Sequence, residues 1–131
     1  MYMLDTNICI YIIKNRPVNV IERFRTLKPS DVCISSVTFA ELEYGVAKSV
    51  MPERNRDALA MFVSPLEIVP FDSQAAAVYG KIRAELERAG RVIGAMDMLI
   101  AAHAISLNIP LVTNNTKEFE RVGGLYAENW V

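Results

Sequence analysis

The sequence predicts an α/β fold with a central, mainly parallel sheet, because short strand-like segments alternate with longer segments of helical periodicity. The strand-like segments are largely apolar, and polar residues follow them; they are 2–4, 32–35, 67–70 and 111–113. A fifth segment, 125–127, follows two glycines and is predicted to be an edge strand. At 131 residues with 52% hydrophobic content, the chain is expected to be a single domain, residues 1–131, with its sheet flanked by helices.

Helix-start residues follow each strand-like segment. Thr6 or Asn7 is expected to cap a first helix, Pro17 to open a second, and Ser35 or Ser36 to cap a third. Three further helices are expected at 54–63 after Pro52, from Asp72 or Ser73 to about Gly90, and after Gly94, with a short helical turn at 117–120.

Composition excludes several classes of protein. With 14 basic and 15 acidic residues the chain is not a strongly polycationic binder, although local basic patches can still hold phosphates. Cys9 and Cys33 lie singly in apolar runs, which predicts reduced core thiols and neither zinc nor a disulfide. No apolar run approaches the roughly 20 residues of a membrane span, so a cytoplasmic protein is expected. The basic residues fall in two groups: Lys14, Arg16, Arg23, Arg25 and Lys28, and then Lys81, Arg83, Arg88 and Arg91.

Two lone carboxylates, Asp5 and Asp97, occur in core-like sequence, where a charge must be paired, protonated or bound to a cation. Asp5 ends the first strand, and the carboxyl ends of parallel strands form the ligand-binding edge of open α/β sheets. Glu41 and Glu118 follow other strands and are expected to approach the same edge. Four converging carboxylates would repel one another unless a cation lay among them, and Mg²⁺ or Mn²⁺ suits such ligands.

Each carboxylate also has a structural explanation. Asp5 could cap the first helix, and Asp97 could be a first-turn acid favoured by the helix dipole. Glu41 forms a capping box with Thr38 if the third helix starts late, and Glu118 fits a capping box with Asn115. His103 lies about 240° around its helix from Asp97, which predicts a packing or surface histidine.

The chain resembles the PIN-domain ribonucleases, specifically the VapC toxins of type II toxin-antitoxin pairs, over essentially its whole length. The likeness rests on four motifs in order: Met3-Leu4-Asp5-Thr6-Asn7, Ile34-Ser35-Ser36-Val37-Thr38-Phe39-Ala40-Glu41-Leu42, Ile93-Gly94-Ala95-Met96-Asp97-Met98-Leu99-Ile100-Ala101-Ala102-His103-Ala104, and Leu111-Val112-Thr113-Asn114-Asn115-Thr116-Lys117-Glu118-Phe119.

The resemblance implies a Mg²⁺- or Mn²⁺-dependent endoribonuclease built on a five-stranded parallel sheet. Asp5 and Asp97 match the metal ligands of the family, and Glu41 and Glu118 match its other two acids. The polar residues expected to contact substrate are Thr6, Asn7, Ser35, Thr113 and Asn115. Many relatives have Asp where this chain has Asn115, so a second tightly held metal is not expected here.

The resemblance also implies partners. The likeness to enteric VapC proteins suggests cleavage of initiator tRNA in its anticodon loop, a single-stranded target typical of specific RNA recognition. It further implies a homodimer neutralised by a VapB antitoxin, with operator DNA bound only through that antitoxin.

Two other hypotheses belong to different classes. Asp5 could be the nucleophile of a phosphotransferase, although such enzymes usually carry a second Asp where this chain has Asn7. Alternatively, the chain could be a non-catalytic interaction module, which predicts no response to metal ions.

Overall fold

Five short strands form the centre of the protein in the computed structural model, which describes residues 1–131. They are β1 (Tyr2–Leu4), β2 (Val32–Ser35), β3 (Glu67–Val69), β4 (Leu111–Val112) and β5 (Ala127–Glu128). Every pairing is parallel, so the predicted α/β fold is confirmed. β3 and β4 end one residue earlier than predicted, and β5 begins two residues later.

Seven α-helices connect and cover the strands: α1 (Thr6–Ile13), α2 (Val18–Arg25), α3 (Ser36–Ala47), α4 (Pro52–Val63), α5 (Ser73–Arg88), α6 (Ala95–Leu107) and α7 (Thr116–Phe119). Ser35 and Asp72 cap α3 and α5 as predicted. The predicted cap of α1 is wrong: Thr6 and Asn7 are already helical, and Asp5 is the cap because its extended backbone lets its carboxylate accept the Ile8 N–H. None of these helices combines the length and apolar character needed to cross a membrane.

The sheet separates two hydrophobic cores, one on each face. Met3, Cys33 and Leu111 point to the core that α5 and α6 cover, together with Phe119. Their neighbours along the strands, including Leu4 and Val112, point to the other core, which side chains of α1, α3 and α4 complete. Because successive side chains alternate between the faces, each strand from β1 to β4 contributes to both cores.

The strand order is β3-β2-β1-β4-β5. From β1 the chain runs outward to β2 and β3, then returns to place β4 on the opposite side of β1. The switch point therefore lies between the carboxyl ends of β1 and β4, where open α/β sheets bind their ligands. Asp5 follows β1 and Thr113 follows β4, so both stand at this point.

Both cysteines are free and fully buried in the two cores. Burial raises the pKa of the Cys33 thiol to about 11 and holds that of the Cys9 thiol well above its usual range. Because the thiolate is the reactive form, we expect neither cysteine to react with a thiol reagent at pH 8 in the folded protein and both to react after denaturation. Rapid labelling of one thiol without unfolding would contradict the burial of that cysteine in the core.

Candidate active site

Asp5 is held at the switch point by contacts on three sides. Its backbone N–H donates to the Val112 carbonyl across the sheet at 3.0 Å, and its carboxylate accepts the Ile8 N–H at 2.9 Å. The Thr113 hydroxyl also hydrogen-bonds the carboxylate. Helix capping and a place in the acidic site are therefore simultaneous properties of Asp5, not alternatives.

The pKa of the Asp5 carboxylate is higher than that of a solvent-exposed aspartate. Asp5 is 4% exposed, and this burial is the main reason that its pKa rises from 3.8 to about 6. The charge of Glu41 raises the pKa further, while the hydrogen bonds from Thr113 and Ile8 oppose the shift. A cation beside Asp5 would reverse the balance and favour the ionised form.

Glu41 approaches from α3, one and a half turns into the helix. The Thr6 hydroxyl donates to its Oε1 at 2.5 Å, so the first residue of α1 orients the acid of α3. The capping box with Thr38 does not form, because α3 begins at Ser36 and the Thr38 hydroxyl is buried without a partner. Glu41 therefore has no role in the helix start.

Glu118 approaches from α7 and meets Asp97 of α6. Its Oε1 accepts the N–H of Gly94, the cap residue of α6, at 3.2 Å, and its Oε2 accepts the Asn115 side-chain amide at 2.5 Å. The predicted capping box is absent, because Asn115 makes no side-chain cap of α7. Asn115 instead helps to hold Glu118 beside Asp97.

Asp97 and Glu118 share a hydrogen bond, which places the proton on Asp97. The pKa of Asp97 is raised to about 7 by burial and by this hydrogen bond. The charges of Glu118, Glu41 and Asp5 add to the shift. Burial alone would raise the pKa of Glu118, but hydrogen bonds from Gly94, Asp97 and Asn115 outweigh it and lower that pKa. The four predicted carboxylates therefore interact in one place.

The donor set fits a hard divalent cation. Carboxylate oxygens are the usual ligands of Mg²⁺ and Mn²⁺, which take one or two of them and complete their coordination with water. No three acidic, histidine or cysteine side chains lie close enough to enclose an ion by themselves. Gly94 leaves one side of the acidic pair open, since a Cβ there would lie 3.4 Å from Asp97 Oδ2 and 3.9 Å from Glu118 Oε1.

Two of the predicted substrate contacts, Ser35 and Thr113, lie below the surface in this structure. Both side chains are fully buried and are engaged by other residues of the protein. Ser35 caps α3 and hydrogen-bonds His103, and Thr113 bonds Asp5 and accepts the Asn115 N–H at 3.0 Å. By contrast, Thr6 and Asn115 are half-buried and Asn7 is exposed.

A parallel five-stranded sheet with acids beyond its strand ends is the architecture of a PIN-type domain, and the PIN-domain family model matches residues 2–125. The tRNA(fMet)-specific endonuclease VapC of Shigella flexneri is 55% identical over 98% of this chain and 97% of its own length. The structure of DNA-bound VapBC from Salmonella typhimurium matches 99% of this chain and 98% of its own, with 49% identity and a TM-score of 0.94. VapBC2 of Rickettsia felis, bound to a promoter DNA fragment, covers the same shares at 46% identity and a TM-score of 0.92.

The chain thus belongs to the PIN-domain family and, within it, to the VapC ribonucleases. The resemblance inferred from the four motifs is confirmed. This membership favours the nuclease hypothesis over the phosphotransferase and the non-catalytic module, for which the relatives offer no support.

Proposed function

We propose that this VapC ribonuclease is a Mg²⁺- or Mn²⁺-dependent endoribonuclease whose catalytic residues are Asp5, Glu41, Asp97 and Glu118. The observation that supports the proposal is the mutual electrostatic effect of these acids. The charge of Glu41 raises the pKa of Asp5, and the charges of Glu118, Glu41 and Asp5 raise the pKa of Asp97. Carboxylates from four separate elements therefore interact at a single sheet edge, an arrangement that a divalent cation would stabilise.

Asp5 and Asp97 would hold the ion, which supplies Lewis-acid stabilisation of the phosphodiester and lowers the pKa of an attacking water. Asp5 is fixed for this role by the Ile8 N–H and the Thr113 hydroxyl. Asp97 is oriented by its hydrogen bond with Glu118.

Glu41 and Glu118 would then accept and transfer protons at the site. Glu41 has one oxygen engaged by Thr6, while its Oε2 has no protein partner and can accept a proton from water. Glu118 has both oxygens engaged, so its role is to orient Asp97 and to exchange a proton with it.

The substrate that we propose is initiator tRNA, cut in its anticodon loop. Support comes from the Shigella flexneri and Salmonella typhimurium relatives, which are named tRNA(fMet)-specific endonucleases and are 55% and 50% identical to this chain. An unpaired loop also suits a shallow acidic site, since its bases and backbone can be splayed across it.

The direct test is cleavage of a total tRNA pool with Mg²⁺ or Mn²⁺, followed by mapping of the cut ends. We expect one dominant cut in the initiator anticodon loop, dependent on the ion and absent with Asp5→Ala. Asp57→Ala removes an exposed carboxylate of α4 and serves as the matched control that stays active. Cleavage by Asp5→Ala, or equal cleavage with a chelator, would contradict the mechanism.

We also propose a VapB-type antitoxin as partner, a homodimer as the assembly, and operator DNA bound only through the antitoxin. The proposal is supported by solved relatives that are VapBC complexes, two of them with DNA. Co-expression with a VapB-type antitoxin should yield a complex that shifts operator DNA, whereas the isolated chain should not.

Two basic side chains near Glu41, Lys14 and Arg16, are suited to the phosphates of an RNA backbone. A groove of about 330 Å³ runs from Glu41 to Lys14, and a second hollow of similar volume continues from Lys14 to Arg16. The ion pairs of the chain use Arg23, Arg56 and Arg83, which leaves Lys14 and Arg16 without carboxylate partners.

We therefore expect Lys14→Gln and Arg16→Gln each to raise KM for RNA by roughly threefold to tenfold at low salt while kcat changes little. Each should also make the dependence of log KM on log salt shallower by about 0.7. Lys81→Gln, an exposed cation of α5 that lines neither hollow, is the control. An effect on kcat alone would contradict a phosphate-binding role.

A further inference from the structure

His103 is buried in the middle of α6 and hydrogen-bonded to a residue far away in sequence. It is 1% exposed, and its Nδ1 lies 2.7 Å from the Oγ of Ser35, 68 residues earlier. Ser35 ends β2 and caps α3, where its Oγ also accepts the Val37 N–H at 3.1 Å. One hydroxyl therefore joins α6, β2 and the start of α3.

The direction of this hydrogen bond follows from the partners available. Burial lowers the pKa of His103, with the charge of Asp72 acting weakly in the opposite sense, so the ring is neutral near pH 7. The hydroxyl proton of Ser35 has no acceptor other than His103, because its oxygen already receives the Val37 N–H. Donation from Ser35 to an unprotonated Nδ1 satisfies the hydroxyl proton and this ring nitrogen, whereas the other tautomer leaves the hydroxyl proton unpaired.

Neighbouring contacts fix the plane of the ring. Phe71 packs edge-on against His103, with 5.4 Å between ring centroids. The backbone N–H of Phe71 donates to the hydroxyl of Ser36, the first residue of α3, at 3.0 Å. The loop between β3 and α5 thus braces His103 and the start of α3 together.

The other contacts of α6 with the core are apolar. Its buried surface consists of Met98, Ile100 and three alanines, Ala101, Ala102 and Ala104, and this packing is less directional than a hydrogen bond. His103 makes the only side-chain hydrogen bond between α6 and the sheet. A directional bond at this point therefore restrains the rotation and sliding of the helix.

We propose that His103 is a positioning residue, which acts through Ser35 to fix the placement of Asp97 on α6 relative to Glu41 on α3. Asp97 lies six residues before His103, and Glu41 lies six residues after Ser35, so each acid is carried by a helix that the bond anchors. The inference rests on the proposed function, because the acids need this placement only if they act on one ion and one substrate. A shift of about 1 Å between such groups can lower a rate by about a hundredfold.

The test compares His103→Leu, His103→Asn and Ser35→Ala with the parent chain, measuring kcat, KM and the Mn²⁺ dissociation constant by electron paramagnetic resonance. We expect His103→Leu and Ser35→Ala to lower kcat about tenfold or more and to raise the Mn²⁺ dissociation constant, with KM within about twofold. His103→Asn places an acceptor near the Nδ1 position and should restore most of kcat and most of the Mn²⁺ affinity. The double variant should lower kcat no further than Ser35→Ala, because Ser35→Ala already removes both the bond to His103 and the cap of α3.

Ile100→Val, a buried residue of the same helix, is the control for a loss of packing alone. It should lower Tm without changing kcat or Mn²⁺ affinity of the folded fraction. If His103→Leu behaves like Ile100→Val, or if His103→Asn is as impaired as His103→Leu, the positioning role is wrong while the proposed function stands. If the parent chain cuts no RNA, the proposed function is wrong, and the Mn²⁺ affinities alone decide the positioning role.

Discussion

Asp5→Asn is expected to lower RNA cleavage by about a thousandfold and yet to make the metal-free protein more stable at pH 8. Loss of a metal ligand removes several kcal/mol of transition-state stabilisation, and about 4 kcal/mol corresponds to a factor of a thousand in rate. The asparagine Oδ1 can still accept the Ile8 N–H, so α1 keeps its cap.

The gain in stability has a separate physical origin. At pH 8 the parent chain must keep Asp5 ionised, although burial has raised its pKa to about 6. The shift from 3.8 corresponds to about 3 kcal/mol, and a neutral amide avoids most of it. Urea denaturation in a chelating buffer would measure the difference.

Asp72→Asn is the matched control, because Asp72 caps α5 through the Ala75 N–H in the same way but lies outside the acidic site. It should leave both activity and the pH dependence of stability close to those of the parent. A folded Asp5→Asn variant that retained a tenth of the parental activity would exclude Asp5 as a metal ligand.

Stability of the metal-free protein is expected to fall as the pH rises from 5 to 8. The pKa values of Asp5 and Asp97 are raised in the folded state to about 6 and about 7, so the folded chain binds these protons more tightly than the unfolded chain. The resulting stabilisation is complete below about pH 4 and is lost as the pH rises through 6 and 7. Asp5 alone accounts for about 1–2 kcal/mol of the loss between pH 5 and 8.

Divalent ions should reverse this dependence. Mn²⁺ or Mg²⁺ competes with the protons, so the increase in Tm on adding either ion should be larger at pH 8 than at pH 5. Without metal, we expect Tm at pH 8 to lie about 5 °C below its value at pH 5. Calorimetry at pH 5 and pH 8, with and without the ion, measures the four Tm values. A metal-induced shift that did not grow with pH would show that the ion binds elsewhere.

The sequence was sufficient for the architecture because its signals are local. Each strand is a brief apolar run that ends at a polar residue, and Gly94, Asp72 and Ser35 mark helix starts by their own backbone and side-chain chemistry. Placing Asp5 at the binding edge needed only the rule that parallel strands end together.

Side-chain direction at that edge could not be predicted in the same way. Ser35 and Thr113 follow strands as predicted, but the helices packed over them bury both hydroxyls. Glu118 matched a capping box, and only the fold brings the Gly94 N–H to its carboxylate, across 24 residues of sequence. Neither hydrophobic periodicity nor the spacing of motifs can predict hydrogen bonds between residues so far apart in the sequence.

The strand order also determines when the site becomes complete. β1 lies at the centre of the sheet, yet its partner β4 begins only at Leu111, and Glu118 comes later still. A growing chain exposes Asp5 first and has neither the Thr113 hydroxyl nor the Gly94–Glu118 contact until the final fifth of the protein has been synthesised. The acidic site therefore cannot be complete before residues 111–118 have been synthesised and β4 has paired with β1.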